Sequence, residues 1–256
     1  EKKPVLNQEQ QQAVKEILEE WDSQVPRPCL IKGVTGSGKT EVYMELIRHV
    51  LEQGRQVILL IPEIALTYQN VSRFYARFGE QVSLIHSRMS QGERYDQFER
   101  AKEGKISIMI GPRSALFTPF PRLGLILIDE EHEDSYKSEK TPCYHARETA
   151  IQRGKMEGAY VVMGSASPSV ESYYKAETGA YRLVRLEQRY GGSMLPDVSI
   201  VDLREELKTG NRSVFSGLLT RKIQERLKRK EQVILFLNRR GYSGFVTCRS
   251  CGHVMK

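Results

Sequence analysis

The 256-residue sequence predicts a doubly wound α/β fold, with a parallel sheet covered by helices on both faces. Three observations predict it. Short, wholly apolar runs recur along the chain, amphipathic stretches separate them, and a glycine-rich loop joins one run to the next helix. A strand that is apolar on both faces has to be buried on both. Intervening helices supply that cover and return the chain for a parallel neighbour.

The expected strands, in order, are CLIKGV (29–34), QVILLIP (56–62), QVSLIH (81–86), KISIMIG (105–111), LGLILID (123–129) and YVVMGS (160–165). Helical spacing fills the gaps, as in KTEVYMELIRHVLEQG (39–54) and QGERYDQFERAKEG (91–104). The rhythm loosens at RLEQRYGGSMLPD (185–197), where paired glycines and a proline mark a hinge or linker. Beyond it, VSIVDL (198–203), a helix from about Leu218 to Lys230 and QVILFLN (232–238) begin a second α/β unit. Two strands and one helix are too few to close a core of their own. No repeat or low-complexity tract interrupts the pattern.

Hydrophobic residues make up 39% of the chain, and no apolar run reaches the roughly 18 residues of a membrane span. The start, EKKPVLNQEQ, lacks the apolar centre of a signal peptide, and the four cysteines at 29, 143, 248 and 251 suit a reducing compartment. A cytoplasmic protein without membrane contact is expected. The net charge of +7 is concentrated near one end: Arg221 to Lys256 holds ten Lys/Arg against two Asp/Glu, a balance of +8. Such a cluster suits a polyanion, whose counterions it would release, or equally a solvated helix face on RKIQERLKRKEQ.

GVTGSGKT, from Gly33 to Thr40, fits G-x-x-x-x-G-K-[ST] between an expected strand and an expected helix. Gly33, Val34, Thr35, Gly36, Ser37 and Gly38 form a loop whose backbone N–H groups can wrap phosphate oxygens at a helix N-terminus. Lys39 is placed for the β- and γ-phosphates of ATP, and Thr40 for Mg²⁺. The acidic partner is LILIDEEH, in which Asp129 would hold Mg²⁺ and Glu130 would orient or deprotonate the attacking water. His132 is a coupling candidate, and Glu131 and Glu133 read as acids that stabilise a helix N-terminus. CRSCGH has the turn of half a zinc site at Cys248 and Cys251. His253 is at most a third ligand, and neither Cys29 nor Cys143 is an obvious fourth.

GVTGSGKT with DEEH resembles the superfamily 2 helicases. In that comparison IPEIALT (61–67) stands for motif Ia, GPRSALFTP (111–119) for motif Ib and GSASPS (164–169) for motif III. LNQEQ (6–10) resembles the upstream element that reads adenine, which would make Gln10 the base-reading residue. The wording of TGSGKTEVY, IPEIALT, GPRSALF, DEEH, YHARE and LFLNRRGY is more specific, and is similar to the primosomal replication-restart helicases of bacteria.

The resemblance implies a RecA-like first lobe over residues 1–188, then a linker and the incomplete start of a second RecA-like lobe over 189–256. It implies ATP-driven 3′-to-5′ movement on single-stranded and forked DNA, with primosome proteins and single-stranded DNA-binding protein as partners, near the bacterial nucleoid. The segment after DEEH would be a DNA-sensing aromatic loop. There Tyr136 and Tyr144 would stack on bases, Lys137 and Lys140 would meet phosphates, and Arg147 would relay the loop's state or form an ordinary ion pair. Thr67 and Arg113 would contact the DNA backbone, while Ser165 and Ser167 would couple hydrolysis to lobe movement or simply form a turn. Zn²⁺ would bind Cys248 and Cys251, with further ligands beyond Lys256. Arginine fingers sit on the second lobe in this superfamily, so the 256 residues alone are expected to bind ATP but hydrolyse it poorly. Two other readings stay open: a duplex translocase that does not separate strands, and a nucleotide-gated scaffold for loading replication proteins.

Overall fold

The computed structural model describes residues 5–189 and 196–236, and the backbone of 246–247 and 254–255. The chain divides into two compact units, residues 1–193 and 194–256. In the first, the apolar runs form β1 (Cys29–Gly33), β2 (Gln56–Leu60), β3 (Val82–Leu84), β4 (Ile108–Gly111), β5 (Leu123–Asp129) and β6 (Tyr160–Ser165). A seventh strand, β7 (Arg182–Leu186), completes a wholly parallel sheet of order β3-β4-β2-β5-β6-β1-β7.

Side chains alternate between two apolar layers, as the pleat requires. On one side Ile31, Leu59, Leu127 and Val162 pack against α1 (Gln8–Trp21), α2 (Lys39–Glu52) and α3 (Tyr68–Phe78), through residues such as Ile17, Ile47 and Phe74. On the other, Leu30, Ile58, Ile126 and Met163 meet α4 (Gln91–Lys102), α5 (Ala146–Glu157) and α6 (Val170–Glu177). This two-sided burial is why the central strands read as unbroken apolar runs. Among the described residues β7 pairs only with β1, and it alternates instead: Val184 and Leu186 are buried while Arg185 is exposed. A search for continuous apolar runs passes over such an edge strand.

Local sequence sets the helix ends. Asn7 and Gln10 form a reciprocal capping box that starts α1, and Ser90 and Glu93 do the same for α4. Gly158, at φ +65°, ends α5.

The second unit contains α7 (Leu203–Lys208) and α8 (Gly217–Lys228), with Glu206 accepting hydrogen bonds from Asn211 and the Gly217 N–H. The strands expected at 198–203 and 232–238 are not formed where the structure describes them. Ile200 and Ile234 are 95% and 94% exposed, and no neighbouring strand among the described residues offers them a ladder. β-structure depends on pairing more than on local preference, which accounts for the difference. Two short strands, Val246–Thr247 and Val254–Met255, pair antiparallel and flank the stretch that contains Cys248 and Cys251. Both cysteines lie outside the described residues.

Candidate nucleotide site and its coupling network

The loop between β1 and α2 owes its path to two glycines. Gly36 and Gly38 adopt φ of +81° and +80°, and a Cβ on Gly38 would stand 2.3 Å from Gln10 Nε2. The chain then enters α2, whose N-cap is Gly38 and which has no side-chain cap. The first-turn N–H groups of Lys39 and Thr40 therefore face outward for an external acceptor, at the positive end of the helix dipole. Lys39 Nζ donates to the Gly33 carbonyl at 3.0 Å and lies 3.7 Å from Glu130 Oε1. The segment from Val34 to Thr40 shares a pocket of about 480 Å³ with Gln10, Asp129 and Glu130.

Gln10 is buried, with its amide already engaged. Its Oε1 accepts from the Asn7 N–H at 3.0 Å and its Nε2 donates to the Ser37 carbonyl at 2.9 Å. One N–H and one lone pair remain for a base edge. The contact to Ser37 also ties α1 to the loop. Ser37 itself is wholly buried, and its hydroxyl has no partner among the described residues.

Asp129 ends β5 next to this pocket. Burial, and then the Glu130 charge, push its carboxyl above the usual range, while a 3.0 Å hydrogen bond from the Tyr43 hydroxyl and the Lys39 charge draw it back. Tyr43 lies one helical turn beyond Lys39 and takes up Oδ1, leaving Oδ2 of a residue that shares the pocket with Thr40 as a hard oxygen donor. Among the described residues no cluster of three or more His, Cys, Asp or Glu gathers. The donors present, one hydroxyl and one carboxylate beside an uncapped helix N-terminus, fit Mg²⁺ held jointly with nucleotide phosphates.

Glu130 adopts φ +47°, a left-handed conformation unusual for a residue with a long side chain. The turn sends its carboxylate between Lys39 Nζ at 3.7 Å and His132 Nδ1 at 3.6 Å. His132 Nδ1 in turn lies 2.6 Å from the buried Ser165 hydroxyl, which accepts from the Ser167 N–H at 3.0 Å. The structure thus brings His132, Ser165 and Ser167 together behind Glu130.

Three residues sit differently from the sequence-based expectation. Glu131 is not an exposed acid of a helix that starts at the DEEH turn: it is buried, accepting from Arg147 Nη1 at 2.8 Å, the Ser172 hydroxyl at 2.9 Å and, at the N-cap of the distant α6, the Ser169 N–H at 2.8 Å. Arg147 is not an ordinary surface ion pair: it is 7% exposed and engaged by the buried Glu131. Its Nε also makes a 3.1 Å contact to the half-exposed Glu148, a placement that leaves open the expected relay of the loop's state. Tyr136 is no stacking platform. It is 1% exposed, and its hydroxyl lies 2.6 Å from the Asp129 carbonyl and 3.1 Å from the Leu60 carbonyl. An aromatic beside charged residues looks the same in sequence whether it faces solvent or pins two strand ends.

The rest of the loop is accessible. Lys137 and Lys140 are exposed, and Tyr144 is half-buried with its ring edge-to-face against Phe117, centroids 5.2 Å apart. Arg113 Nη1 donates to the Ser135 and Lys137 carbonyls, each at 2.7 Å, so it braces the loop's backbone. Thr67 is exposed at the N-cap of α3, where its hydroxyl oxygen accepts from the Asn70 N–H at 3.3 Å. Sequence reasoning gave no role to Tyr43, Ser169 or Ser172, although Tyr43 and Ser169 close the motif stretches TGSGKTEVY and GSASPS. It also missed Arg73, which reaches the nucleotide pocket from α3 and pairs with Glu41 at 2.6 Å.

A glycine-rich loop after β1 and an acidic turn after β5, at the C-terminal ends of a covered parallel sheet, define a RecA-like P-loop domain. The chain belongs to the family described as "Type III restriction enzyme, res subunit", whose model matches residues 3–162. It is 50% identical over 249 residues to the replication restart protein PriA of Bacillus subtilis, covering 97% of this chain and 31% of that protein. It is 46% identical over 253 residues to the replication restart protein PriA of Chlamydia pneumoniae, covering 98% and 34% respectively. These matches bear out the resemblance drawn from the motifs, and the chain spans about a third of the length of these curated relatives. Among solved structures, RecG bound to a three-way DNA junction aligns with a TM-score of 0.53 at 22% identity, over 81% of this chain and 28% of that one. The Hef helicase domain of Pyrococcus furiosus aligns at 0.52 and 18% identity, over 85% of this chain and 46% of that one. Both show the same fold.

Proposed function

We propose that this chain is the ATP-binding motor lobe, residues 1–188, of a DNA helicase that moves 3′-to-5′ and acts in replication restart, with 189–256 opening a second lobe. The observation that carries the proposal is the shared pocket, in which Lys39 and Glu130 stand 3.7 Å apart. Thr40 and Asp129 would hold Mg²⁺, which supplies charge neutralisation of phosphate oxygens. The loop from Gly33 to Gly38 binds phosphates through backbone N–H groups, and Lys39 orients them. Glu130, between Lys39 and His132, takes a proton from water. His132, Ser165 and Ser167 link that carboxylate to the end of β6.

Thr67, Lys137, Lys140 and Tyr144 form the DNA-facing set, which Arg113 supports from behind. Its ligands would be single-stranded and forked DNA, and its protein partners primosome components and single-stranded DNA-binding protein. The matched replication restart proteins support that context and a cytoplasmic, nucleoid-associated place. Among the described residues no helix is long and apolar enough to cross a membrane. Zn²⁺ at Cys248 and Cys251 belongs to the intact protein in this reading.

ATP turnover with and without single-stranded DNA, on the natural chain continued past Lys256, tests the proposal. DNA stimulation abolished by Lys39→Ala and Glu130→Gln is expected, together with weak turnover by the 256 residues alone. Turnover indifferent to DNA would favour a nucleotide-gated scaffold. DNA-stimulated turnover without strand displacement on a forked substrate would favour a duplex translocase.

A further inference from the structure

We propose that Glu131 is a positioning residue that holds Glu130 in its left-handed backbone conformation, and so aims the base between Lys39 and His132. The proposal rests on Glu130 being that base. A residue with a Cβ gives up free energy at φ +47° and stays there only where its flanks are over-determined. Upstream, the Asp129 carbonyl is fixed by the Tyr136 hydroxyl at 2.6 Å and its carboxylate by Tyr43 at 3.0 Å. Downstream, the Glu131 N–H donates to the Gly164 carbonyl at 3.1 Å.

The Glu131 side chain does the rest of the fixing. It is fully buried, and its two oxygens collect donors from two separate helices. Oε1 accepts from the Ser169 N–H, while Oε2 accepts from Arg147 Nη1 and from the Ser172 and Ser169 hydroxyls at 2.8, 2.9 and 3.2 Å. α5 and the N-terminus of α6 are thereby locked to the turn that carries Glu130. A buried ion pair commonly gives less stability than an apolar pair of the same volume, so fixing a geometry is what this one supplies. Glu131, Arg147, Ser169 and Ser172 do not line the nucleotide pocket. Disturbing them should spare nucleotide binding and lower turnover.

The test compares the wild-type protein with Glu131→Gln and with the apolar pair Glu131→Leu/Arg147→Met. A non-hydrolysable ATP analogue, titrated by fluorescence, gives nucleotide affinity; steady-state turnover with single-stranded DNA gives kcat. Glu131→Gln is expected to lower kcat at least about tenfold, as small misplacements of a reacting group do, with analogue affinity within about twofold of wild type. The apolar pair is expected to restore the melting temperature without restoring kcat, which separates positioning from folding even if the single variant is unstable. A crystal structure of either variant gives the angle directly. Residue 130 retaining φ near +47° would overturn the inference, as would wild-type kcat in the apolar pair. If instead Glu130→Gln leaves wild-type turnover intact, the base assignment fails, and the angle in the variant structure still decides whether Glu131 sets it.

Discussion

Gly164 stands where β6, α2 and the acidic turn meet, and an added methyl group tests that junction. Its Cβ in Gly164→Ala would lie 1.7 Å from the Tyr43 hydroxyl and 2.9 Å from Tyr43 Cζ. Tyr43 is 1% exposed, so its ring has no solvent to move into. Over-packing a filled site costs about 1–3 kcal/mol. Displacing the hydroxyl also takes the hydrogen bond from Asp129, and a bond to a charged group contributes about 1.5–3 kcal/mol. A loss of about 3–5 kcal/mol is therefore expected in Gly164→Ala. The single tryptophan, Trp21, stacks on Tyr160 with centroids 5.1 Å apart, so its fluorescence reports unfolding of the first unit in urea. With a urea slope of about 2 kcal/mol per molar, the midpoint should fall by about 1.5–2.5 M. Tyr43→Phe removes the atom in the 1.7 Å clash. The double variant should therefore be more stable than the two single losses sum to, by at least about 1 kcal/mol. A Gly164→Ala protein within about 0.5 kcal/mol of wild type, or strict additivity in the double variant, would refute the account.

Tyr136→Phe should lower stability by about 1–2 kcal/mol through an unsatisfied carbonyl and leave single-stranded DNA affinity unchanged. Tyr144→Ala should weaken DNA binding by about 1–3 kcal/mol, and fluorescence anisotropy separates the two. Burial draws the His145 imidazole below its ordinary value of 6.5, against the opposing pull of Glu148, and its Nδ1 accepts from the Arg147 N–H at 3.3 Å. Because the folded value is depressed, this contribution is complete above pH 6.5 and is lost as pH falls toward the folded value. Hydrogen exchange at the Arg147 amide should accelerate on going from neutral to mildly acidic pH, beyond the intrinsic trend; an unchanged protection factor would count against the cap. Glu130→Gly and Glu130→Ala should both abolish turnover, and the glycine variant should be the more stable of the two by about 1 kcal/mol, since glycine carries no steric penalty at positive φ. Because glycine also frees the unfolded chain at a cost of about 0.4–1 kcal/mol, the matched control is Glu130→Ala; a Glu130→Gly protein no more stable than Glu130→Ala would show that the left-handed turn stores no strain.

The sheet was legible because burial on both faces writes itself as unbroken apolar runs, and LGLILID became β5 residue for residue. β7 was not, since edge burial leaves only an alternation that RLVRL shares with many surface segments. VSIVDL and QVILFLN show the converse. Their composition favours strands, yet pairing is non-local, and where described they remain unpaired. Within the site, that Lys39, Asp129 and Glu130 would share one pocket could be read from spacing, because phosphate and metal chemistry restricts which residue types stand together at such strand ends. The partners that aim them could not. Tyr43 is an ordinary helical aromatic until Asp129 is placed beside it, and Glu131 looks like one more surface acid until Arg147 closes over it.

Placing two carboxylates in succession is costly by itself, because the Glu130 charge helps push the buried Asp129 carboxyl upward. The backbone turn at Glu130 lessens that cost by sending the second side chain away toward Lys39 and His132, while Asp129 keeps Tyr43. Asp129 thereby keeps a half-buried carboxylate fixed at the edge of the pocket, and Glu130 is a third exposed and able to meet water, its side-chain exposure being 33%. The left-handed turn is what makes two neighbouring residues chemically different. Its supports, Glu131 with Arg147 on one side and Tyr136 on the other, come from the two ends of the basic loop that follows. Under the proposed function, a loop attached at both ends to the supports of Glu130 is placed to shift that carboxylate by small displacements, without any of its own side chains lining the pocket.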